Sequence, residues 1–205
     1  MDDIVVIALF RHGVTKDNEQ KAYCGWTDTP LSQAGRHRIQ SMQQNYHLYF
    51  SSDLTRCTQT SNLLFPERTP IPLTELREMH FGQWEGKTFS ELKNVPAYQD
   101  WISNPSGCSP PEGERFDQFT DRLHIGWSKI IGQLLHDQVR CAAVVTHGGV
   151  IRYLLSQFAP VQKAFWEWYV PHDKAYEFIF DKDALRRGER CTLLQEVPLT
   201  VNVNG

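Results

Sequence analysis

The chain has 205 residues, of which 40% are hydrophobic and 22% charged, and its formal net charge at pH 7 is −3. This length and composition are typical of one globular domain with a substantial core and exclude a disordered chain. The small negative charge provides no basic surface for nucleic acid or for an anionic membrane, so an anionic ligand has to be bound by a local cluster of cations.

The amino terminus and the cysteines favour a cytoplasmic protein. Met1, Asp2 and Asp3 are acidic or neutral where a signal peptide is basic, and the apolar run that follows has only seven residues, too few for a membrane span. The five cysteines are odd in number, widely spaced and without a Cys-x-x-Cys pair. This pattern predicts free thiols in a reducing compartment and argues against a disulfide framework or a cysteine zinc site.

The first predicted element is a strand over residues 4–10, followed at once by Arg11, His12 and Gly13. An uninterrupted apolar run rich in β-branched residues is typical of a strand that is buried on both faces. A cation at its carboxyl end is costly to bury without a partner, and in open α/β sheets ligands bind at this edge. The turn is therefore a candidate binding site, the alternative being a turn whose polar residues simply face water.

The remaining elements are predicted from periodicity and turn residues. Further strands are predicted over 46–52, 71–76, 141–145, 175–180 and 191–197. Helices are predicted over 31–44 with Ser32 as N-cap, 54–65 with Asp53 as cap, 89–93, 97–103, 112–135 and 150–158. The alternation of strand and helix predicts one α/β domain over 1–205, a three-layer α/β/α sandwich with a mostly parallel sheet and an antiparallel edge. Residues 87–113 are interpreted as an insertion that covers the substrate.

Three of the predicted strand-to-helix junctions carry guanidinium or imidazole groups: Arg11 with His12, then Arg56, then His147. Parallel strands bring such junctions to one edge of the sheet. Helix N-termini and the glycine pair at 148–149 add free N–H donors and close backbone approach. The combination predicts a site for a compact dianion, and guanidinium geometry favours phosphate.

Several segments, taken in order, resemble the motifs of the histidine phosphatase superfamily, also called the phosphoglycerate-mutase-like family. They are LFRHGVT at 9–15, GWTDTPL at 25–31, SSDLTRCTQT at 51–60, LREMHFGQWEG at 76–86 and VTHGG at 145–149. A single Arg-His-Gly tripeptide is weak evidence, but ordered motifs that span most of the chain are highly specific. The resemblance implies the phosphoglycerate-mutase-like fold and phosphoryl transfer that needs no metal and no other cofactor.

The resemblance also implies a role for each matched residue. His12 would attack phosphorus to give a phosphohistidine, and cations beside it would help to keep the ring neutral. Glu78 would protonate the leaving oxygen and then act as base for water. Glu75 and Glu85 in the same segment are alternatives, but the motif spacing favours Glu78. The phosphate oxygens would be held by Arg11, Asn18, Arg56 and His147.

Further substrate contacts are expected from Cys24 and Gly25 in the first loop, from Gly148 and from Arg115. The run PPEGERF at 110–116 resembles the Pro-Gly-Gly-Glu-Ser segment of the small-molecule phosphatases, with Arg115 in place of the serine. This departure leaves the subfamily open.

A metal site built from His12 and His147 is an alternative interpretation of the two imidazoles. The flanking arginines would repel a cation and the sequence has no carboxylate-rich cluster, so no metal is expected. His80 and His172 can border the pocket, but a packing role is favoured for both.

Three classes of function remain open: a phosphomonoesterase, a cofactor-dependent phosphoglycerate mutase, and a phospho-ligand-binding module without turnover. The mutases follow the catalytic glutamate with an arginine and a tyrosine, where this chain has Met79 and Phe81. This chain has fewer cations than the mutases to hold a second anionic group, and this favours hydrolysis of the phosphohistidine. The size and layout of the chain resemble those of α-ribazole phosphatases and broad-specificity small-molecule phosphatases. Glu78 argues against a binding module because binding alone needs no proton donor. We expect a small-molecule phosphomonoester as substrate, neither nucleic acid nor membrane as partner, and a monomer or homodimer.

Overall fold

Six strands form one sheet in the computed structural model, which describes residues 4–199. In chain order they are β1 (Ile4–Arg11), β2 (Leu48–Ser51), β3 (Ile71–Pro72), β4 (Cys141–Thr146), β5 (Lys174–Asp181) and β6 (Leu193–Pro198). Their order across the sheet is β3-β2-β4-β1-β5-β6. The strands from β3 to β1 are parallel, and β5 and β6 extend the sheet in antiparallel pairing. The predicted fold class is confirmed; the acidic residues at 1–3 lie outside the described part of the chain.

The helices of the described residues cover both faces of this sheet. They are α1 (Lys16–Glu19), α2 (Gln33–His37), α3 (Thr55–Leu64), α4 (Phe89–Leu92), α5 (Pro96–Ser103), α6 (Phe116–His136), α7 (Gly148–Phe158) and α8 (Lys182–Arg186). α6 and α7 pack in one hydrophobic cluster with Ile7 and Leu9, while α3 packs in a second cluster with Ala8 and Phe10.

β1 is central because its side chains are apolar on both faces. Ile7, Ala8, Leu9 and Phe10 are each 0% exposed, and successive strand residues point to opposite faces. Both hydrophobic clusters therefore require apolar residues at consecutive positions, which explains the uninterrupted run. The strand is a rigid support for the polar residues that follow it.

The helix predicted over 31–44 is wrong in length, since α2 ends at His37. Its start is as predicted, because the Ser32 hydroxyl accepts from the N–H of Gly35 at 2.9 Å. Beyond Arg38 the chain turns, and the N–H of Met42 donates to the carbonyl oxygen of Leu64 at 2.8 Å. This tertiary hydrogen bond takes the donor that a continuing helix would have used.

Three other predicted boundaries are also wrong. Asp53 does not cap α3; its carboxylate instead forms a two-point ion pair with Arg77 at 2.5 and 2.7 Å. The long helix begins at Phe116 instead of Glu112, whose φ of 57° is incompatible with an α-helix. The third strand is only two residues long, and residues 74–76 form a 3₁₀ turn.

No helix within residues 4–199 is both long enough and apolar enough to cross a membrane. All five cysteines are free thiols, as predicted.

Candidate active site

The three predicted junctions meet at the carboxyl edge of the parallel strands. His12 follows β1, and its N–H donates to the carbonyl oxygen of Thr146 at the end of β4 at 2.9 Å. This bond holds the first junction beside the third, so the rings of His12 and His147 lie 5.1 Å apart. Arg56, in the first turn of α3, reaches the same place and bonds to His147.

His12 is held with one ring nitrogen free. Its Nδ1–H donates to the carbonyl oxygen of Gly13 at 2.7 Å, so the lone pair is on Nε2. The side chain is only 3% exposed. Burial, together with the charges of Arg56 and Arg11, holds the pKa of His12 well below its ordinary value of 6.5. The ring is therefore neutral at pH 7, as a nucleophile requires.

Arg56 is a buried cation without an acidic partner. It is 0% exposed, and its guanidinium donates to the carbonyl oxygens of Thr27 at 3.0 Å and of Gly25. No carboxylate in the described part of the chain forms an ion pair with it. Because burying an unpaired charge is costly, the position is suited to a bound anion.

His147 contributes a neutral ring to this cluster. Its Nδ1 accepts from Nε of Arg56 at 3.3 Å, and its Nε2–H donates to the hydroxyl of Ser52 at 2.9 Å. Burial and the neighbouring Arg56 charge hold the pKa of His147 well below its ordinary value. The positive charge at the site therefore comes from the two arginines, and not from His147.

Arg11 supplies the second cation. Its Nη1 donates to the carbonyl oxygen of Val170, while its Nε is buried without a hydrogen-bond partner among residues 4–199. The guanidinium lies against the N-terminus of α7, where a Cβ added to Gly148 would stand 3.2 Å from its Cζ. A side chain at 148 would therefore press on Arg11, which explains glycine there.

Glu78 is bound to the same helix N-terminus. Its Oε2 accepts from the N–H of Gly149 at 2.8 Å and its Oε1 from the N–H of Met79 at 3.0 Å. A Cβ at Gly149 would lie 2.2 Å from Oε1, so this glycine makes room for the carboxyl group. The main-chain oxygen of Glu78 is held by the indole N–H of Trp26 at 2.8 Å and by Arg122 at 3.3 Å.

The two alternative carboxylates have other partners. Glu85 accepts from the N–H groups of Trp26 at 2.7 Å, Thr27 at 2.5 Å and Phe81 at 3.1 Å, and so ties the first loop to the Glu78 loop. Glu75 forms an ion pair with Lys129 at 2.6 Å. Of the three, Glu78 is the one that lines the cavity described next.

A cavity of about 560 Å³ opens beside Arg11, Glu78 and the glycine pair. Part of its wall comes from the predicted insertion, namely from Trp101, Ile102, Ser103 and Pro105. Its aromatic lining consists of Tyr23, Phe81, Trp101, Phe119, Phe165 and Trp166. Arg152 also lines it.

The remaining predicted contacts are less directly connected to the cluster. Asn18 uses its side-chain oxygen to accept from the N–H of Thr15 at 3.1 Å, in the cap of α1. Burial raises the pKa of the Cys24 thiol to about 11, so it is neutral. The carbonyl oxygen of Gly25 accepts a hydrogen bond from the Arg56 guanidinium. Arg115 is not among the cavity-lining residues; it is exposed and pairs with Asp117 at 2.7 Å.

Sequence reasoning missed Ser52 and Arg152, and it considered His172 only as a residue that can border the pocket, with a packing role favoured. Ser52 follows β2 just as His12 follows β1, and Arg152 lies one helical turn after Gly149, so both had a positional signal. The structure places Nδ1 of His172 2.8 Å from the carbonyl oxygen of His12, 160 residues away in sequence, a contact that no sequence pattern indicates. Within residues 4–199, no three His, Cys, Asp or Glu side chains form a group that could hold a metal ion.

The chain is similar in sequence to known proteins. A sequence model described as "Histidine phosphatase superfamily (branch 1)" matches residues 7–186. The chain is 30% identical over 173 residues to the adenosylcobalamin/alpha-ribazole phosphatase of Escherichia coli, covering 79% of this chain and 83% of that protein. It is 32% identical over 168 residues to a broad-specificity phosphatase of Saccharomyces cerevisiae, covering 75% of this chain and 71% of that one.

The fold is also shared with a solved structure. The alpha-ribazole phosphatase of Shigella flexneri matches with a TM-score of 0.77 over 98% of each chain, at 23% identity. With the family match over residues 7–186, the conclusion is that the chain belongs to the histidine phosphatase superfamily and is an enzyme of the histidine phosphatase type.

Proposed function

We propose that this protein is a phosphomonoesterase that hydrolyses a small phosphorylated metabolite through a phosphohistidine on His12. The observation that carries the proposal is the free Nε2 of a neutral His12 beside two guanidinium groups, Arg11 and Arg56, that have no acidic ion-pair partner within residues 4–199. A neutral nucleophile beside unpaired cations is what attack on a phosphate dianion requires.

In the first step the lone pair on Nε2 of His12 forms a bond to phosphorus as the ester P–O bond breaks. Arg11 and Arg56 stabilise the charge on the non-bridging oxygens, a task of positioning and electrostatics. Glu78 gives its proton to the leaving oxygen, so the alcohol departs neutral.

In the second step the ionised Glu78 takes a proton from water as the water oxygen attacks phosphorus. The P–N bond breaks, its electron pair returns to Nε2 and inorganic phosphate leaves. His12 is again neutral and Glu78 again protonated, so the cycle consumes one water and needs no other reactant.

Hydrolysis is favoured over mutase chemistry by the lining of the cavity. A mutase has to retain a second anionic group while the phosphohistidine waits, and here the positions after Glu78 are Met79 and Phe81. Both line the cavity with apolar surface. These two positions therefore supply no cation to hold the second anionic group of a phosphoglycerate.

The test is release of phosphate from p-nitrophenyl phosphate in the presence of excess chelator. We expect turnover by the wild-type protein and none by His12→Ala, with Ser128→Ala on α6 as a control that keeps full activity. Undiminished turnover by His12→Ala contradicts the proposal. Faster interconversion than hydrolysis of the two monophosphoglycerates would identify a mutase instead, and phosphate binding without turnover would identify a binding module.

The five free thiols support the further proposal that the enzyme works in a reducing compartment such as the cytoplasm.

A further inference from the structure

Arg152 is a cation in the cavity wall for which the two chemical steps have no use. It lies on α7 one turn beyond Gly149, on the same face of the helix. Its Nε is buried and has no hydrogen-bond partner in the described chain. No ion pair joins Arg152 to an acidic residue between positions 4 and 199.

The charged neighbours of Arg152 in the cavity wall are Arg11 and Glu78. Arg11 lines the same cavity and its positive charge acts unfavourably on that of Arg152. Glu78 is the acidic residue of the cavity lining, and each of its carboxylate oxygens already accepts from a main-chain N–H. An unsatisfied guanidinium donor in this position costs free energy, which an incoming anion recovers.

The transferred phosphate already has two cations of its own, Arg11 and Arg56. It belongs at His12, beside Arg56 and the Arg11 guanidinium at the start of α7. Three residues of α-helix rise by about 5 Å, so the backbone of Arg152 is that much farther along the helix axis than Gly149. Arg152 lines the cavity that also contains Arg11 and Glu78, so a part of the substrate that extends into this cavity can reach its guanidinium.

The walls of the cavity indicate what joins the two anionic groups. Trp101 from α5 and Trp166 from the 3₁₀ turn at Phe165–Glu167 lie with their rings 6.4 Å apart and perpendicular. Trp166 is 54% exposed although it lines the cavity, so it still has apolar surface to bury. Aromatic side chains of this kind bind flat apolar groups by edge and face contacts.

We propose that the substrate is a phosphomonoester whose leaving group has a flat apolar body and a second acidic group, a carboxylate or another phosphate, which binds Arg152. The inference rests on the proposed phosphatase function and adds the class of leaving group to it. It makes Arg152 the residue that selects substrates with an anionic group on the leaving group over neutral analogues.

The test compares two substrates that differ in one group, phenyl phosphate and 4-carboxyphenyl phosphate. The measured quantity is the ratio of their kcat/KM values, carboxylated over plain, in wild type, Arg152→Gln and Arg152→Lys. The carboxylate also alters the leaving-group chemistry, but this contribution is common to all variants and cancels when their ratios are compared. A partly misfolded preparation lowers both kcat/KM values together and leaves the ratio unchanged.

We expect the ratio to fall at least tenfold in Arg152→Gln and less in Arg152→Lys, which keeps the charge but loses the planar fork. Arg186→Gln on α8, where the arginine pairs with Asp183 at 3.0 Å, is the matched control and keeps the wild-type ratio. A ratio that is the same in wild type and Arg152→Gln overturns the inference.

Failure of the proposed function has a separate signature. If His12→Ala hydrolyses phenyl phosphate as fast as wild type, the phosphohistidine route is wrong whatever the ratio. If His12→Ala is inactive and Arg152→Gln keeps the wild-type ratio, the phosphatase proposal stands and the second anionic subsite is wrong.

Discussion

Nε of Arg56 donates to Nδ1 of His147 across 3.3 Å, and this contact sets the tautomer of His147. The imidazole must be unprotonated at Nδ1, so it is neutral and presents its other N–H to Ser52. No carboxylate between residues 4 and 199 forms an ion pair with the guanidinium, so no acidic side chain pairs with its positive charge. The site is thus cationic without being crowded by protonated histidines.

Replacing Arg56 by methionine removes this charge at similar side-chain length. We expect kcat/KM to fall about 100-fold or more, the range seen when one oxyanion-stabilising donor is lost. Inorganic phosphate at ten times its dissociation constant adds about 1.4 kcal/mol to wild-type stability and raises Tm by about 3 to 5 °C. Differential scanning calorimetry should show this rise in wild type and in the exposed control Arg36→Met, and not in Arg56→Met. A full phosphate response in Arg56→Met would contradict the assignment.

A methyl group at Gly149 should displace the Glu78 carboxyl group, because its Cβ would lie 2.2 Å from Oε1. We expect Gly149→Ala to lower kcat at least tenfold on substrates with poor leaving groups, which depend most on the proton donor, and less on p-nitrophenyl phosphate. Gly132→Ala on α6 is the control, since its Cβ meets nothing within 4 Å. It should keep full activity and gain up to about 1 kcal/mol of stability from helix propensity. Equal activity of the two alanine variants would refute the account of Gly149.

His172 is predicted to position His12 through the bond from its Nδ1–H to the His12 carbonyl oxygen at 2.8 Å. His172→Phe keeps a ring but loses the donor, and we expect kcat to fall about fivefold with little change in KM, since losing one hydrogen bond is worth about 1 kcal/mol. His172→Asn can donate from a similar position and should recover most of kcat. If the phenylalanine and asparagine variants are equally impaired, His172 acts through packing alone.

The stability of the protein should decrease as pH falls from 7 to 5. Burial holds the pKa of His12 and His147 well below 6.5 and that of His172 at about 4. Between pH 6.5 and these lower values the unfolded chain binds more protons than the folded protein. The free energy of unfolding therefore decreases as the pH is lowered through this range. Each histidine contributes up to about 1.4 kcal/mol per pH unit.

Urea denaturation at pH 7.0, 6.0 and 5.0 measures this slope. His172→Asn should reduce it, and His37→Asn on the exposed side of α2 should leave it unchanged. A free energy of unfolding that is constant or rising towards pH 5 would contradict the neutral, buried state of these rings.

The central cluster was predictable because one simple rule governs it: parallel strands end at the same edge. That rule brought Arg11, His12, Arg56 and His147 together without knowledge of any contact, and the family motif added Glu78. Arg152 was not predicted as a site residue. Hydrophobic periodicity identifies the apolar face of α7, and it gives no information on a charged residue in the first turns of the helix. Arg115 shows the opposite error, since similarity of a local segment does not fix where a long side chain points when Asp117 is two residues away.

The phosphohistidine on His12 is tested most directly by trapping it. In Glu78→Gln, p-nitrophenolate still leaves readily without a proton donor, whereas the water of the second step has lost its base, so the phosphoenzyme should accumulate. Rapid quenching at high pH, followed by proteolysis and mass spectrometry, should then find a phosphoryl group on the peptide that contains His12, and none in the double variant with His12→Ala. Phosphate release by Glu78→Gln with no phosphorylated peptide at any time point, or a phosphoryl group on another residue, would contradict the account.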